Sequence, residues 1–107
     1  MGRANYILPG CQDFVNLKQP YTGRQGFCAG MVAGINFVGK DLSAVPPTYI
    51  SDSEALMSLY CLDIPDKATL PQAIRVVIKY IEARPERMHE SFNYLALEAL
   101  RTAWPCR

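Results

Sequence analysis

Four cysteines, spread through a chain of 107 residues, constrain this sequence more than any other feature. They lie at Cys11, Cys28, Cys61 and Cys106, outside any Cys-x-x-Cys motif, and the sequence contains a single histidine. A zinc-binding set would need either a paired cysteine motif or more histidines. An even number of well-separated cysteines in a small chain therefore favours two disulfides and an oxidising compartment over four buried thiols in the cytosol.

The size and composition of the chain suit a single domain spanning residues 1–107. A chain of this length buries about 65% of its unfolded surface, which supports one core but not two. The net charge is only +1 and the basic residues are scattered, which argues against nucleic acid as a partner. No stretch approaches the roughly 20 apolar residues of a membrane span. We expect residues 1–4 to be flexible or to derive from cloning, and they contain no signal peptide.

The clearest helical segment is predicted over residues 69–84. Thr69 and Gln72 have the spacing of a capping box, and Pro85 follows where the helix must end. The same proline is expected to open the last helix, whose apolar stripe extends to Trp104. The apolar residues that share one face of the 69–84 helix are Leu70, Ile74, Val77, Ile78 and Ile81.

The remaining elements are weaker. A first helical element is predicted around residues 5–16, interrupted by Pro9-Gly10, and a short helix is predicted over residues 51–60. No segment alternates between apolar and polar residues for long enough to indicate a strand. The sequence predicts an all-α fold: a small antiparallel bundle of four to five helices stapled by two disulfides.

A further helix, over residues 25–38, carries three glycines at intervals of four: Gly26, Gly30 and Gly34. Each glycine inside a helix costs about 1 kcal/mol relative to alanine, so the spacing needs a reason. The segment is too short for a membrane, and no lysine follows at the spacing of a phosphate-binding loop. The remaining interpretation is close helix packing, either within this chain, which we favour, or against a second copy. Gly39 is expected to end the helix.

The predicted bundle also suggests how the cysteines pair. In an up-and-down arrangement, Cys11 and Cys28 share one end of the bundle, whereas Cys61 and Cys106 share the other. This arrangement favours the pairs Cys11–Cys28 and Cys61–Cys106 among the three possible connectivities.

Three stretches of the sequence form a recognisable pattern of a glycine-rich helix, a Cys-to-Pro step and a terminal Trp-Pro-Cys. They read "GFCAGMVAG", "CLDIP" and "QAIRVVIKYIEARPERMHESFNYLALEALRTAWPC". The pattern resembles the Rap/Tai-type immunity domain family over residues 8–106. The resemblance implies an exported, periplasmic, all-α protein, often a dimer. From the residues themselves we expect no catalytic activity, metal or cofactor. Such a protein neutralises a peptidoglycan amidase delivered by type VI secretion by occluding its active site.

Occlusion requires a protruding, preorganised element with apolar or aromatic tips. The stretch "AVPPTYIS" fits this description, because its two prolines lower the entropy cost of ordering it. The partner-binding residues expected there are Val45, Pro47, Tyr49 and Ile50. Alternatively, Tyr49 and Ile50 fold back over the core. A weaker second candidate is "QPYTGRQ", with Tyr21 and Arg24.

Two other functions fit parts of the sequence. The first is a small periplasmic helical chaperone of the acid-stress type. One histidine and a near-balanced charge provide no obvious trigger at low pH for such a chaperone. A related hypothesis is a binding domain of unassigned function. The second is a thiol hydrolase using Cys28 as nucleophile and His89 as base. We disfavour the hydrolase because Cys28 has a plausible disulfide partner and His89 lies in a polar stretch.

Overall fold

A computed structural model describes residues 2–37 and 62–105 of the protein, together with the helical backbone of residues 38–44. Its α-helices are α1 (Ala4–Val15), α2 (Gly23–Ala44), α3 (Leu70–Glu82) and α4 (Phe92–Ala103), and a 3-10 turn spans Pro85–Arg87. These ranges contain no strand, so the prediction of an all-α fold is confirmed for them. The helix predicted over residues 51–60 lies outside the described residues.

All four α-helices contribute to one core. The helix with the clearest apolar stripe, α3, packs against both α1 and α4, while α1 and α2 form a neighbouring hairpin. Burial of a large aliphatic or aromatic side chain stabilises the fold by about 1.5–3 kcal/mol. The fully buried apolar residues include Ile7, Cys11, Cys28, Val32, Ile74, Val77, Ile81, Phe92, Leu95 and Leu100.

The cap predicted for α3 is confirmed. The backbone N–H of Gln72 donates to the Thr69 hydroxyl at 3.2 Å, and Pro71 sits in the first turn, where its missing N–H costs nothing. The prediction that Pro85 opens the last α-helix is wrong: α4 begins only after Ser91.

The interruption before α4 has a physical reason in the backbone hydrogen bonds. The Met88 and Glu90 carbonyls turn toward α1, where they accept from the N–H groups of Asn5 and Ala4, both at 2.9 Å. These bonds cap the first turn of α1, which has no side-chain cap. If residues 85–91 formed a continuous helix, both carbonyls would accept hydrogen bonds within that helix and could not cap α1.

The start of the chain is fixed by the same turn. The Phe92 N–H donates to the Gly2 carbonyl at 2.7 Å, Arg3 forms an antiparallel bridge with Ser91, and Ala4 is fully buried. The expectation that residues 1–4 are flexible or derive from cloning stays a prediction, although residues 2–4 make these contacts. Met1 lies outside the described residues.

Helix α1 continues through Pro9 and Gly10, where the sequence led us to expect an interruption. Pro9 is exposed, and Gly10 is buried against α2. A Cβ atom at Gly10 would overlap the Arg24 carbonyl and lie 2.7 Å from the Arg24 Cβ. Gly10 is thus the glycine that permits close helix packing in this part of the chain.

The close packing predicted at Gly26, Gly30 and Gly34 of α2 stays a prediction. Among the described residues, none lies within 4 Å of a Cβ built at Gly30 or Gly34, and Gly26 faces only the ring of Tyr21. Helix α2 also runs through Gly39, which was expected to end it.

One predicted disulfide is confirmed. Cys11 in α1 and Cys28 in α2 are bonded, with their Cα atoms 5.3 Å apart. Cys61 and Cys106 lie outside the described residues, so their pairing stays a prediction. Their neighbours do meet: Leu62 and Pro105 form an antiparallel bridge.

Candidate partner-binding surface

The loop that leads into α2 is held by a capping box that our sequence analysis missed. The Thr22 hydroxyl accepts from the Gln25 N–H at 3.4 Å, and the Gln25 side-chain oxygen accepts from the Thr22 N–H at 2.8 Å. The Gln25 amide also donates to the Lys18 carbonyl at 3.1 Å, and only 1% of Gln25 is exposed. The signal was present as Thr-Gly-Arg-Gln, which has the Thr-x-x-Gln spacing of this motif.

This cap fixes the position of Tyr21, the residue just before it. The Tyr21 ring packs edge-on against Phe14, with centroids 6.4 Å apart. The ring also lies over Gly26, where a Cβ would be at ordinary contact distance, 3.5 Å, from the Tyr21 hydroxyl oxygen. Tyr21 is nevertheless 60% exposed. The protein therefore holds an aromatic ring in place while presenting it to solvent.

Arg24 extends this feature onto α1. Its guanidinium carbon lies 4.4 Å from the centre of the Tyr6 ring, within the range of a cation–π contact. The close approach of α2 to α1 at Gly10 brings the two side chains together. Arg3, Asn5, Tyr6 and Arg24 line a shallow depression on the surface. Tyr6 could not be identified from the sequence, because its contact with Arg24 depends on how the two helices pack.

Exposed apolar side chains continue along α2. Phe27 and Phe37 are 49% and 68% exposed, and Gly30 and Gly34 lie between them on the same helical face. We call Phe27, Gly30, Gly34 and Phe37 the outer face of α2. We call Tyr6, Tyr21, Arg24 and Phe27 the hairpin surface. Tyr6 contacts Arg24, Phe27 follows Arg24 by three residues on α2, and Tyr21 lies just before α2 and packs over Gly26.

The distribution of exposed apolar side chains marks the α1–α2 hairpin as unusual. In the described part of the chain, the large exposed ones are Tyr6, Leu17, Tyr21, Phe27, Phe37 and Tyr94. Only Tyr94 lies outside the hairpin. Tyrosine, phenylalanine and arginine are the residues most enriched where proteins bind one another. The arrangement favours protein recognition by the hairpin.

A polar cluster on the other half of the molecule has a structural role. Arg87 bonds the Glu90 carboxylate at 2.8 and 2.9 Å and the Glu98 carboxylate at 2.8 and 3.1 Å, and the Tyr80 hydroxyl donates to Glu98 at 2.8 Å. We call Tyr80, Arg87, Glu90 and Glu98 the polar clamp. It joins the turn before α4 to both α3 and α4, and all of its charges are paired.

The clamp shifts the ionisation of its members in the directions that its bonds require. The Arg87 hydrogen bonds hold the pKa values of Glu90 and Glu98 below the ordinary glutamate value. The bonds to Glu90 and Glu98 in turn raise the pKa of Arg87. Burial, followed by the bond to Glu98, raises the pKa of Tyr80. Both carboxylates therefore stay charged and bonded at neutral pH.

The thiol hydrolase hypothesis lacks a free nucleophile in this structure. The Cys28 sulfur is bonded to Cys11 and is fully buried, while His89 is exposed on the turn before α4. Among the described residues, no group of three or more histidine, cysteine, aspartate or glutamate side chains is placed to hold a metal ion. Nor does any helix in the described ranges combine the length and hydropathy needed to cross a bilayer.

The predicted partner-binding residues divide into two groups. Tyr21 and Arg24 lie on the hairpin surface, where Arg24 contacts the Tyr6 ring. The other four, Val45, Pro47, Tyr49 and Ile50, lie outside the described residues, so their part in binding stays a prediction.

Comparison with protein families gives one match. The model of the family described as "Rap1a immunity proteins" matches residues 3–106, nearly the whole chain. No curated protein and no solved structure matches the chain. Immunity proteins act by binding another protein and are in general not enzymes, which agrees with the exposed aromatic residues and the bonded cysteine. The chain belongs to the Rap1a immunity protein family.

Proposed function

We propose that this protein binds a peptidoglycan amidase toxin delivered by type VI secretion and blocks the toxin's active site in the periplasm. The observation that carries the proposal is the family match over residues 3–106. The exposed aromatic and arginine side chains of the hairpin surface support a binding role. No catalytic step is required of the immunity protein itself.

The hairpin surface is suited to tight binding because little order has to be gained on association. Tyr21 is already held between Phe14 and Gly26, and Arg24 is already stacked on Tyr6. Immobilising a flexible side chain costs about 0.5–1.5 kcal/mol on binding, and these side chains avoid part of that cost. Residues 45–50 are the second proposed binding element.

A periplasmic location is supported by the Cys11–Cys28 disulfide, since disulfides persist in oxidising compartments. We also propose the second disulfide, Cys61–Cys106. The Asp63 N–H donates to the Trp104 carbonyl at 3.1 Å, and Leu62 pairs with Pro105. In this antiparallel register, the next residues along the two segments are Cys61 and Cys106, which favours their pairing.

A second copy of the chain is a further proposed partner, at the outer face of α2. Gly30 and Gly34 have no described neighbour and would let another helix approach closely between the rings of Phe27 and Phe37. Sedimentation equilibrium with wild-type protein and Gly34→Leu tests this: the bulkier variant should weaken a dimer that forms through this face. A dimer unaffected by the substitution would exclude this face.

The experiment for the main proposal measures inhibition of peptidoglycan amidase effectors by the oxidised protein. We expect at least one effector to lose its hydrolytic activity at a stoichiometric amount of wild-type protein. Tyr21→Ala removes the exposed aromatic ring of the hairpin surface, and Tyr49→Ala removes the aromatic ring predicted to bind from residues 45–50. The two variants therefore test the two proposed elements separately. Tyr94→Ala is the matched control, since Tyr94 is 50% exposed on α4. Full activity of all effectors with excess wild-type protein would contradict the amidase proposal.

A further inference from the structure

Two arginines occupy positions at which a positive charge is unfavourable. Arg3 is the N-cap residue of α1, and Arg24 is the second residue of α2. The N-terminal end of a helix carries partial positive charge, which favours acidic residues and disfavours cations. Neither helix has an acidic residue in its first turn to compensate. Departures from local rules of this kind tend to occur at functional sites.

Neither guanidinium has a carboxylate partner within the described part of the chain. The ion pairs found there include those of Lys18 with Asp13 and of Arg87 with Glu90 and Glu98. Glu90 belongs to the turn that binds the start of α1, yet Arg87 holds both of its carboxylate oxygens. The chain as a whole has a net charge of only +1, so overall basicity does not account for two unpaired arginines in one depression.

We infer that Arg3, Tyr6 and Arg24 form a receptor for the carboxylate side chains of an acidic segment on the protein partner. The inference rests on the proposed function, in which the partner is a protein. Arginine binds carboxylates through paired, charge-assisted hydrogen bonds. The Tyr6 ring contacts the Arg24 guanidinium, and the guanidinium N–H groups are the donors for such a carboxylate. The partner therefore supplies the negative charge that both helix ends lack.

The test uses the full chain and a defined probe, so it does not depend on identifying the toxin. A tetra-glutamate peptide with blocked ends is titrated into the protein at low salt, and the arginine side-chain Nε–H signals are followed by NMR. A tetra-glutamine peptide is the matched control for charge. We expect saturable shifts of the Arg3 and Arg24 signals with tetra-glutamate only, weakening as salt shortens the range of the interaction.

Substitutions separate charge from geometry. Arg24→Gln should weaken tetra-glutamate binding about tenfold, and Arg24→Lys should restore only part of it, since lysine keeps the charge but not the planar fork. Arg75→Gln is the control: Arg75 is also exposed, but its guanidinium donates to the Val15 carbonyl at 3.2 Å. It should leave binding unchanged.

Three results would overturn the inference. They are equal shifts with tetra-glutamine, shifts of equal size at Arg75, and tighter binding of a short thymidylate oligonucleotide than of tetra-glutamate at the same residues. Each of these leaves amidase inhibition untouched. Conversely, a failed inhibition assay beside a positive titration would remove the amidase proposal and retain the carboxylate receptor.

Discussion

The α1–α2 hairpin and the α3–α4 pair have different surfaces. On α3 and α4, the apolar residues other than Tyr94 mostly face the core, and the charges of the polar clamp are paired on the outside. The hairpin has a disulfide inside, whereas exposed aromatic residues and unpaired arginines lie outside. A surface whose charged groups are already paired within the protein is typical of a region that contributes only to stability. The contrast supports our proposal that α3–α4 contribute mainly to stability and that the hairpin contributes recognition.

The sharpest test of this contrast compares two phenylalanines. Phe92 in α4 is fully buried, whereas Phe27 in α2 is 49% exposed. Phe92→Ala should lower the free energy of unfolding by about 3–5 kcal/mol, because it removes a large side chain and leaves a cavity. Phe27→Ala should change it by less than about 0.5 kcal/mol. Urea denaturation measures both, and equal losses would abolish the proposed division.

The disulfide is expected to have the next largest effect. Cys11 and Cys28 are 17 residues apart, and closing a loop of that size stabilises the folded state by about 3 kcal/mol in the chain-entropy model. The double variant Cys11→Ala/Cys28→Ala should therefore unfold at a lower urea concentration. Wild-type protein treated with a reducing agent should move in the same direction. A double variant as stable as the oxidised wild type would show that packing alone holds the hairpin.

Two glycines provide a matched pair within the hairpin. Gly10→Ala places a methyl group against the Arg24 backbone and should destabilise the protein by about 1–3 kcal/mol. In the monomer, Gly30→Ala meets no described neighbour and should stabilise α2 by about 0.5–1 kcal/mol through helix propensity. Thermal unfolding of both variants tests the opposite signs. Destabilisation by Gly30→Ala would instead indicate a neighbour at that face.

The smallest effect is expected from the polar clamp. Because Arg87 lowers the native pKa of Glu98, the stabilisation from this group is present above the unfolded-state value of about 4.3 and is lost as the pH falls through the lower native value. Glu98→Gln should therefore lose less stability than wild type between about pH 6 and about pH 3. Glu86→Gln, an exposed position in the same turn, should keep the wild-type profile. Identical profiles for all three proteins would show that the clamp does not contribute.

The features that sequence predicted well depend on residues close together in the chain. The helical period and Thr69 cap identified α3, and the order of the predicted helices placed Cys11 near Cys28. Our failures involved contacts between distant residues. Gly10 matters only because α2 crosses α1 at Arg24.

The same limit applies to the candidate site. The sequence indicated Tyr21 and Arg24 as an aromatic residue and a cation in a predicted loop, but their binding role stays a proposal. Tyr6 could be added only once its ring was seen beneath Arg24. The Thr22–Gln25 capping box was a local signal, and it was simply missed.

The most direct test of the division between the two halves is the calorimetric dissociation constant for an inhibited amidase, measured with two matched double variants. Tyr21→Ala/Arg24→Gln alters the hairpin surface. Tyr94→Ala/Arg84→Gln alters an exposed tyrosine and an arginine whose guanidinium lies 3.7 Å from the Tyr80 ring. We predict about 100-fold weaker binding for the hairpin variant and a change within about twofold for the other. Weaker binding only for the α3–α4 variant would contradict recognition by the hairpin.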